Sequence, residues 1–426
     1  MTVNLADDCF FHDKDRIPHG EALAILKSRV RAVVGVEEVP LNKAAGRYLA
    51  SPIVSPRPIP AHDNAAVDGY AFAYAAYKQR GDPVFEVVGV ASAGHPLTTP
   101  APLQGAIRIF TGAVVPSEFD TVAMQEDAVT ETRHGKTWVR IPVGLRQGAN
   151  RRLAGEDSRA GEEVVKVGSR LSPQDVASAA ACGLSQLRCY ERLKVAVVST
   201  GDEILPPGAP FVQGRVYDAN APMLNGLVEM TGADPVDFGI LQDKPDLVRA
   251  ALSEISGSYD LLLISGGTSL GVEDHVVKAI DALGKRHLWQ IAIKPGRPMS
   301  FGQIGACVVL GLPGNPVAVF VCFLLYVRPV LASLSGGAWS EPVRYPLPTM
   351  FSQKKKAGRR EFWRARLTTN PDGKLGVAKF ARDGSGLISS LREADGLIEV
   401  EENVTEVNEG DIVAFIPFSE FGLRRI

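Results

Sequence analysis

Three glycine-containing loops in the second half of the chain each follow an apolar stretch that is typical of a buried strand. They are S-T-G-D-E at residues 199–203, S-G-G-T-S-L-G at 265–271 and G-L-P-G-N-P at 311–316. Glycine lets the backbone approach an anion closely, and free amides near a helix N-terminus supply partial positive charge. A single loop of this kind is a plain turn about as often as it is a binding site. Three loops at equivalent strand ends predict a site for phosphates or another oxyanion.

The residues around these glycines exclude two common nucleotide motifs. Gly266 and Gly271 fit G-x-x-x-x-G, but Val272 and Glu273 follow where a Walker loop needs Lys and then Ser or Thr. The G-x-G-x-x-G dinucleotide pattern is also absent from the three loops. A simple NTPase and an NAD-dependent dehydrogenase are therefore excluded.

Charged side chains accompany the glycines. Four acids fall at or near predicted strand ends, namely Asp202, Glu203, Asp243 and Asp274. Carboxylates beside a phosphate would repel it unless a hard cation such as Mg²⁺ bridged the two groups. Each acid is explained equally well as a solvated loop residue or a helix N-cap. Lys294 and Arg297, in I-K-P-G-R-P, either contact a phosphate or lie on the surface.

The loops lie in a region where predicted strands and helices alternate. Apolar runs predict strands near residues 193–199, 236–240 and 260–265. Helical periodicity predicts helices near 221–230, 245–256, 274–283 and 316–334. This alternation is typical of a parallel sheet covered by helices on both faces, which binds ligands at the carboxyl ends of its strands.

The rest of the chain has other patterns. Short alternating runs predict β-rich regions near 84–143 and 349–426, and a helix should begin at Ser172-Pro173 and end at Gly183. We therefore predict an α/β multidomain protein with four parts. These are a helical and linker domain at 1–60 plus 150–190, a β-rich inserted domain at 61–149, a parallel-sheet α/β domain at 191–340 and a C-terminal β-barrel-like domain at 341–426.

The composition sets limits on partners and location. The 46 Lys and Arg residues nearly balance the 48 Asp and Glu residues, which argues against nucleic acid as a partner. Five cysteines without a C-x-x-C pair, and an N-terminus without a signal-peptide pattern, predict free thiols and a cytoplasmic protein. Residues 298–327 carry no charge, but the P-G-N-P turn at 313–316 interrupts them, so a buried helix is favoured over a membrane span.

Taken in order, the motifs resemble those of the molybdopterin molybdenumtransferases, the molybdenum insertases related to the C-terminal region of gephyrin. The motifs are D-N-A-A-V-D-G-Y-A at 63–71, F-T-G-A at 110–113, G-E-D at 155–157, Y-D-A-N at 217–220, K-P-G-R-P at 294–298 and the three loops. The resemblance covers essentially the whole chain. It implies a Mg²⁺-dependent reaction in which adenylylated molybdopterin and molybdate give molybdenum cofactor and AMP. It also implies that the α/β domain binds molybdopterin and that the protein is an elongated homodimer.

The resemblance further implies which residues form the site. The catalytic residues would be Asp68, Asp157, Asp243, Asp274 and Lys294, with Glu203, Asp243 and Asp274 as Mg²⁺ ligands. The substrate-binding residues would be Thr111, Arg152, Thr200, Gly201, Glu203, Ser265, Gly266, Gly267, Ser269, Pro313, Gly314, Asn315, Arg364 and Ser385. Among these, Arg364 and Ser385 would bind molybdate or phosphate, because guanidinium and hydroxyl donors suit a dianion.

Two features leave alternatives open. Gln290 stands where the family often has a second lysine, so one cation of the anion site is missing. The basic run Lys354, Lys355, Lys356, Arg359, Arg360, Arg364 and Arg366 is more simply explained as a solvated face. A molybdopterin adenylyltransferase-like enzyme and a non-catalytic scaffold paralogue remain the competing functions, and a molybdopterin adenylyltransferase is a possible protein partner. No membrane partner is expected.

Overall fold

The computed structural model describes residues 16–266, 275–296, 299–370 and 372–423. Three short antiparallel ladders each pair a segment before residue 66 with a segment after residue 150. The pairs are Val36–Pro40 with Gln186–Tyr190, Ile53–Val54 with Glu163–Val165, and Asn64–Ala65 with Arg151–Arg152. The chain between the ladders therefore leaves this region and returns to it.

The helix Pro173–Ala181 belongs to the ladder region and starts where the sequence predicts. The Ser172 hydroxyl accepts a hydrogen bond from the Asp175 backbone N–H at 3.2 Å, and the Asp175 carboxylate accepts one from the Ser172 N–H at 2.7 Å. This reciprocal capping box satisfies two of the free N–H groups at the helix start.

The segment between the ladders forms a six-stranded sheet with a core of its own. The sheet order is Thr121–Met124, Gly69–Phe72, Ala106–Ile109, Val84–Ala91, Lys136–Arg140 and Val129–Arg133, and the helix Tyr74–Lys78 packs beside it.

The central α/β domain has a six-stranded sheet that is only partly parallel. Its order is Asp234–Leu241, Lys194–Thr200, Leu261–Ser265, Cys307–Leu312, Ser300–Ile304 and Lys285–Trp289. The first four strands are parallel, as predicted, but Ser300–Ile304 is antiparallel to both of its neighbours. Only Gly305 and Ala306 connect Ser300–Ile304 to Cys307–Leu312, whereas a parallel connection needs a dozen or more residues. These two strands must therefore be antiparallel.

Helices cover both faces of this sheet, as predicted. They are Asn220–Thr231, Pro245–Ser256, His275–Leu283 and a long helix over Pro316–Leu334, which contains a π-helical turn at Phe323–Val327. Alternate strand residues enter two different cores: Val195, Val197 and Leu263 pack under the long helix, whereas Ala196, Val198 and Leu262 pack on the opposite side. This separation follows from the two-residue period of a strand.

The long helix Pro316–Leu334 belongs to the protein core. It alone, within the described part of the chain, has the length and apolar character needed to cross a membrane, and 89% of its most apolar window is buried inside the protein. The prediction of a buried helix is confirmed. The helix His19–Arg29 packs into the same core through Ala22, Leu23 and Leu26.

A buried polar pair joins these two helices. The Nδ1 atom of His19 lies 2.6 Å from the hydroxyl of Tyr326, and the two residues are 2% and 0% exposed. Burial is the main cause that lowers the pKa of His19 to about 4, because a charged imidazolium loses its hydration there.

His19 should make the stability of the protein depend on pH. Its pKa drops from 6.5 to about 4 on folding, so between these values the unfolded chain binds the proton more tightly. We expect this group to lower the free energy of unfolding by up to about 3 kcal/mol as pH falls through that window. Chemical denaturation at about pH 7 and about pH 4.5 should show a smaller loss in His19→Gln than in the wild type. Equal losses in both proteins would contradict this.

The C-terminal domain is a barrel-like β-structure. Its strand order is Leu375–Lys379, Arg360–Thr369, Gly396–Val400, Ile412–Pro417 and Tyr345–Pro348. A bridge between Thr349 and Val377 brings the first and last of these strands together. A ladder of Gln353–Lys354 with Glu406–Val407 and the helix Ile388–Glu393 complete the domain. The short strand Ile293–Lys294, from the α/β domain, pairs in parallel with Arg360–Thr369 and so ties the two domains together.

Candidate functional site

The three glycine loops begin at the same carboxyl edge of the α/β sheet. Ser199 pairs with Ser265, and Ser265 pairs with Leu312, so the three strands end at the same level. The Gly266 N–H donates to the Leu312 carbonyl at 3.2 Å. Gly266 has φ +89°, and a Cβ there would lie 2.3 Å from the Thr200 carbonyl oxygen, so only glycine allows this close approach.

Asn220 connects two of these loops through its side chain. Its amide nitrogen donates to the Ser265 hydroxyl at 2.8 Å and to the Gly314 carbonyl at 2.7 Å. Asn220 is the first residue of the helix Asn220–Thr231, where the Asp218 carboxylate accepts the N–H groups of Asn220 and Ala221. Asn220 belongs to the Y-D-A-N motif but was not among the predicted site residues. Its position in that motif could have identified it as a site residue.

Several buried polar atoms at this edge have no partner among the described residues. They are the hydroxyl oxygens of Ser199 and Thr200 and the side-chain oxygen of Asn220, on residues that are 2%, 3% and 8% exposed. Buried polar groups in proteins are nearly always hydrogen-bonded. Unpaired atoms clustered at a strand edge are therefore suited to receive a polar ligand.

Carboxylates lie on the solvent side of the same edge. The Glu203 carboxylate packs over the backbone of Gly201, where a Cβ would lie 2.6 Å from Glu203 Oε2. The Asp243 N–H points at the Asp202 carboxylate, 3.5 Å away, so the loops that carry these acids are neighbours. Asp202 was not among the predicted ligands, although it stands in the same motif as Glu203.

Part of the predicted site lies outside the described residues, namely Gly267, Ser269 and Asp274. Among the residues that the structure does describe, no three His, Cys, Asp or Glu side chains are grouped so as to hold a metal ion. The Mg²⁺ site thus stays a prediction, and the predicted ligands Glu203 and Asp243 are both exposed.

Lys294 lies on the short strand that joins the α/β and C-terminal domains. Its ammonium nitrogen lies 3.4 Å from Glu361 Oε2. The side chain of Lys294 is 44% exposed and that of Glu361 only 3%. Gln290, at the position of the missing lysine, is buried. Glu361 was likewise not among the predicted site residues.

The predicted molybdate ligands lie next to the third loop. The Ser385 carbonyl accepts the N–H of Val317, at the start of the long helix that follows Pro313, Gly314 and Asn315. The Arg364 guanidinium donates to the carbonyls of Gly384 at 3.1 Å and Arg382 at 2.9 Å, so it holds the loop that contains Ser385.

Burial of Arg364 affects its charge and its donors. The residue is 7% exposed, and burial lowers the pKa of its guanidinium while Asp383 opposes the shift. A guanidinium has five N–H donors, so two bonds to carbonyls leave others for an anion.

Three residues of the remaining basic run pair with acids that are distant in sequence. Arg360 pairs with Glu399 at 2.6 Å and with Glu402 at 2.9 Å, and Arg366 pairs with Glu393. Lys354 lies 4.0 Å from Glu406. The charge of the run is therefore partly balanced by acids that the local sequence does not reveal.

A second group of predicted site residues lies where the inserted domain joins the ladders. The Asp68 carboxylate accepts the hydroxyl of Thr111 at 2.7 Å and its N–H at 2.8 Å. These two bonds, the hydroxyl first, lower the pKa of Asp68, which therefore stays ionised near neutral pH. Arg152 pairs with Asn64 in the adjoining ladder, and the Asp157 N–H donates to a nearby carbonyl; both side chains are exposed.

Three family models match consecutive parts of this chain. They are the MoeA N-terminal region (domain I and II) at residues 17–183, the probable molybdopterin binding domain at 196–333 and the MoeA C-terminal region (domain IV) at 346–418.

Relatives and solved structures agree with these matches over most of the chain. The molybdopterin molybdenumtransferase of Haemophilus influenzae is 34% identical over 384 residues, which are 90% of this chain and 94% of that protein. That of a Nostoc species is 39% identical over 317 residues, 72% of this chain and 71% of that protein. The crystal structure of the molybdopterin biosynthesis moeA protein from Pyrococcus horikoshii OT3 has a TM-score of 0.80 at 29% identity, covering 95% of this chain and all of that one.

Proposed function

The chain belongs to the molybdopterin molybdenumtransferase family, and from this premise we propose that it inserts molybdate into adenylylated molybdopterin, which gives molybdenum cofactor and AMP. The observation that carries this proposal is the edge at which Asn220 links the loops of Ser265 and Gly314 beside unpaired buried hydroxyls. Such an edge offers donors to the phosphates of an adenylylated pterin.

The described residues would bind different parts of the substrates according to their charge and hydrogen-bond donors. The loops that contain Thr200, Gly201 and Gly266 hold the anionic substrate, and the ammonium of Lys294 offsets its charge. Arg364 and Ser385, next to the third loop, contribute donors for molybdate. The oxyanion would then lie against the same edge as the phosphates.

Mg²⁺ is part of the proposal, and the donors present suit it. Glu203 and Asp243 are exposed carboxylates on neighbouring loops, and carboxylate oxygens are the ligands that Mg²⁺ prefers. These like charges would otherwise repel both each other and the substrate. When bound, the ion would supply Lewis-acid stabilisation of charge on phosphate oxygens. Asp274 is the third ligand that we propose.

We further propose that the enzyme is a homodimer whose site is shared between protomers. Asp68 and Thr111 belong to a domain with its own core, separate from the core beneath the glycine loops. A two-fold dimer would let Asp68 and Asp157 of one chain face the loops of the other. A cytoplasmic location and a contact with a molybdopterin adenylyltransferase remain predictions.

Release of AMP tests the reaction directly. Purified protein with adenylylated molybdopterin and Mg²⁺ should release AMP when molybdate is added, and chromatography would measure it. Sulfate, a tetrahedral dianion without a metal, should not replace molybdate, and chelation of Mg²⁺ should stop the release. No molybdate-dependent release would refute the proposal.

Two further measurements, ATP consumption and partner binding, separate the competing functions. An adenylyltransferase-like enzyme would consume ATP with unmodified molybdopterin, and a scaffold would bind partners without turnover. Matches over the N-terminal, central and C-terminal regions favour the molybdenumtransferase, since adenylyl transfer requires only the α/β domain.

A further inference from the structure

We infer that Glu361 is a positioning residue for this reaction, which acts by holding the ammonium group of Lys294 towards the anionic substrate. The inference rests on the proposed function, in which Lys294 offsets substrate charge. Glu361 is 2% exposed, so its carboxylate does not itself reach a ligand at the sheet edge. Any influence of Glu361 on turnover must therefore act through a neighbouring side chain.

The backbone sets the two side chains side by side. Lys294 pairs with Glu361 in the parallel ladder between the strands Ile293–Lys294 and Arg360–Thr369. Residues 361 and 363 lie on one face of their strand, and the indole N–H of Trp363 donates to Glu361 Oε2 at 2.8 Å. The same oxygen lies 3.4 Å from the Lys294 nitrogen. Trp363 therefore fixes the carboxylate that Lys294 meets.

The contact between Glu361 and Lys294 affects the two side chains differently. A carboxylate buried away from water needs a counter-charge, and Lys294 supplies one. Lysine has a long flexible stem, so the carboxylate restricts the ammonium before the substrate arrives. The separation of 3.4 Å exceeds the length of a strong charge-assisted hydrogen bond. Since an ammonium has three N–H donors, Lys294 keeps donors for an anion on its exposed side.

Another nearby lysine is engaged elsewhere. The Lys355 ammonium donates to the carbonyls of Lys356, Arg359 and Glu402 at 3.3, 2.9 and 3.3 Å. Glu361 is thus matched to Lys294, the lysine that this strand pairing sets opposite it.

A double-mutant cycle tests the inference. Glu361→Gln keeps an acceptor for Trp363 but removes the charge, and it should lower kcat for AMP release about tenfold while KM changes less than about threefold. In a Lys294→Ala background the same substitution should change kcat less than about twofold, because its target is gone. An equal loss in both backgrounds, or no loss in the wild type, would overturn the inference.

Glu399→Gln is the matched control. Glu399 is 6% exposed on the neighbouring strand Gly396–Val400, and it pairs with Arg344 and Arg360 instead of Lys294. Any effect of this control on kcat should be the same with Lys294 and with alanine at that position. Should Glu361→Gln not fold, Trp363→Phe removes the N–H that orients the carboxylate and keeps an aromatic ring in the core. It should lower kcat about threefold with Lys294 present and not in Lys294→Ala; an equal loss in both backgrounds, or none with Lys294 present, would overturn the inference.

A labelling experiment separates this inference from the proposed function. Acetic anhydride followed by peptide mass spectrometry would measure the reactivity of Lys294 relative to Lys354, whose side chain is 84% exposed. Glu361→Gln should raise this ratio about threefold, because the ammonium is no longer held by a carboxylate. Unchanged labelling with normal AMP release would refute the inference alone. Raised labelling without AMP release from the wild type would refute the proposed function alone.

Discussion

Replacing Asn220 with alanine should lower the rate of molybdate-dependent AMP release about 100-fold, the size of effect seen when one preorganised donor is lost from an active site. The substitution removes both hydrogen bonds that join the loop of Ser265 to the loop of Gly314. The Gly314 carbonyl and the Ser265 hydroxyl would then lose a partner at the point where the substrate phosphates are proposed to bind. We also expect the free energy of unfolding to fall by about 2 kcal/mol.

Two further variants make this prediction specific. Asn225 lies on the same helix, and its side-chain oxygen has no partner among the described residues, so Asn225→Ala should leave AMP release within about twofold of the wild type. Asn220→Asp keeps the shape but loses the two N–H donors, and it should be as impaired as Asn220→Ala. Normal turnover in Asn220→Asp would show that the link between the loops is unimportant for the reaction.

Asp68→Asn should reduce AMP release by about 100-fold as well, at the lower end of what a catalytic acid or base contributes. Asparagine retains an oxygen that can accept both hydrogen bonds from Thr111, so the change removes charge with little loss of structure. The free energy of unfolding should therefore stay close to that of the wild type. Asp120→Asn is the control, because Asp120 is a hydrogen-bonded acid of the same domain that accepts the Tyr74 N–H. A fully active Asp68→Asn protein would remove Asp68 from the mechanism.

The two inactive variants together test whether protomers share the site. A heterodimer of one Asp68→Asn chain and one Asn220→Ala chain, isolated with two different tags, would contain one intact site if each site draws on both chains. It should then regain about half of the wild-type rate per dimer. If both residues served the same chain's site, every site would carry one defect, and the heterodimer would stay as inactive as its parents.

Much of the α/β architecture is determined by short-range patterns in the sequence. Apolar runs and helical periodicity around 193–334 predicted four helices and three of the parallel strands, because strand and helix periods are properties of neighbouring residues. The common start of the three loops at one edge followed from the same pattern, since parallel strands carry their carboxyl ends to one edge. The antiparallel edge of the sheet was missed, although the two-residue connection at Gly305 and Ala306 was visible in the sequence.

The contacts that organise the site depend on pairs that are far apart in the chain. Asn220 meets Ser265 and Gly314 over separations of 45 and 94 residues, and Lys294 meets Glu361 over 67. No periodicity links such residues, because their proximity arises only when strands and helices pack. The order of the motifs was thus enough to identify the fold and the family. Which amide joins the loops and which carboxylate holds the lysine were decided by packing alone.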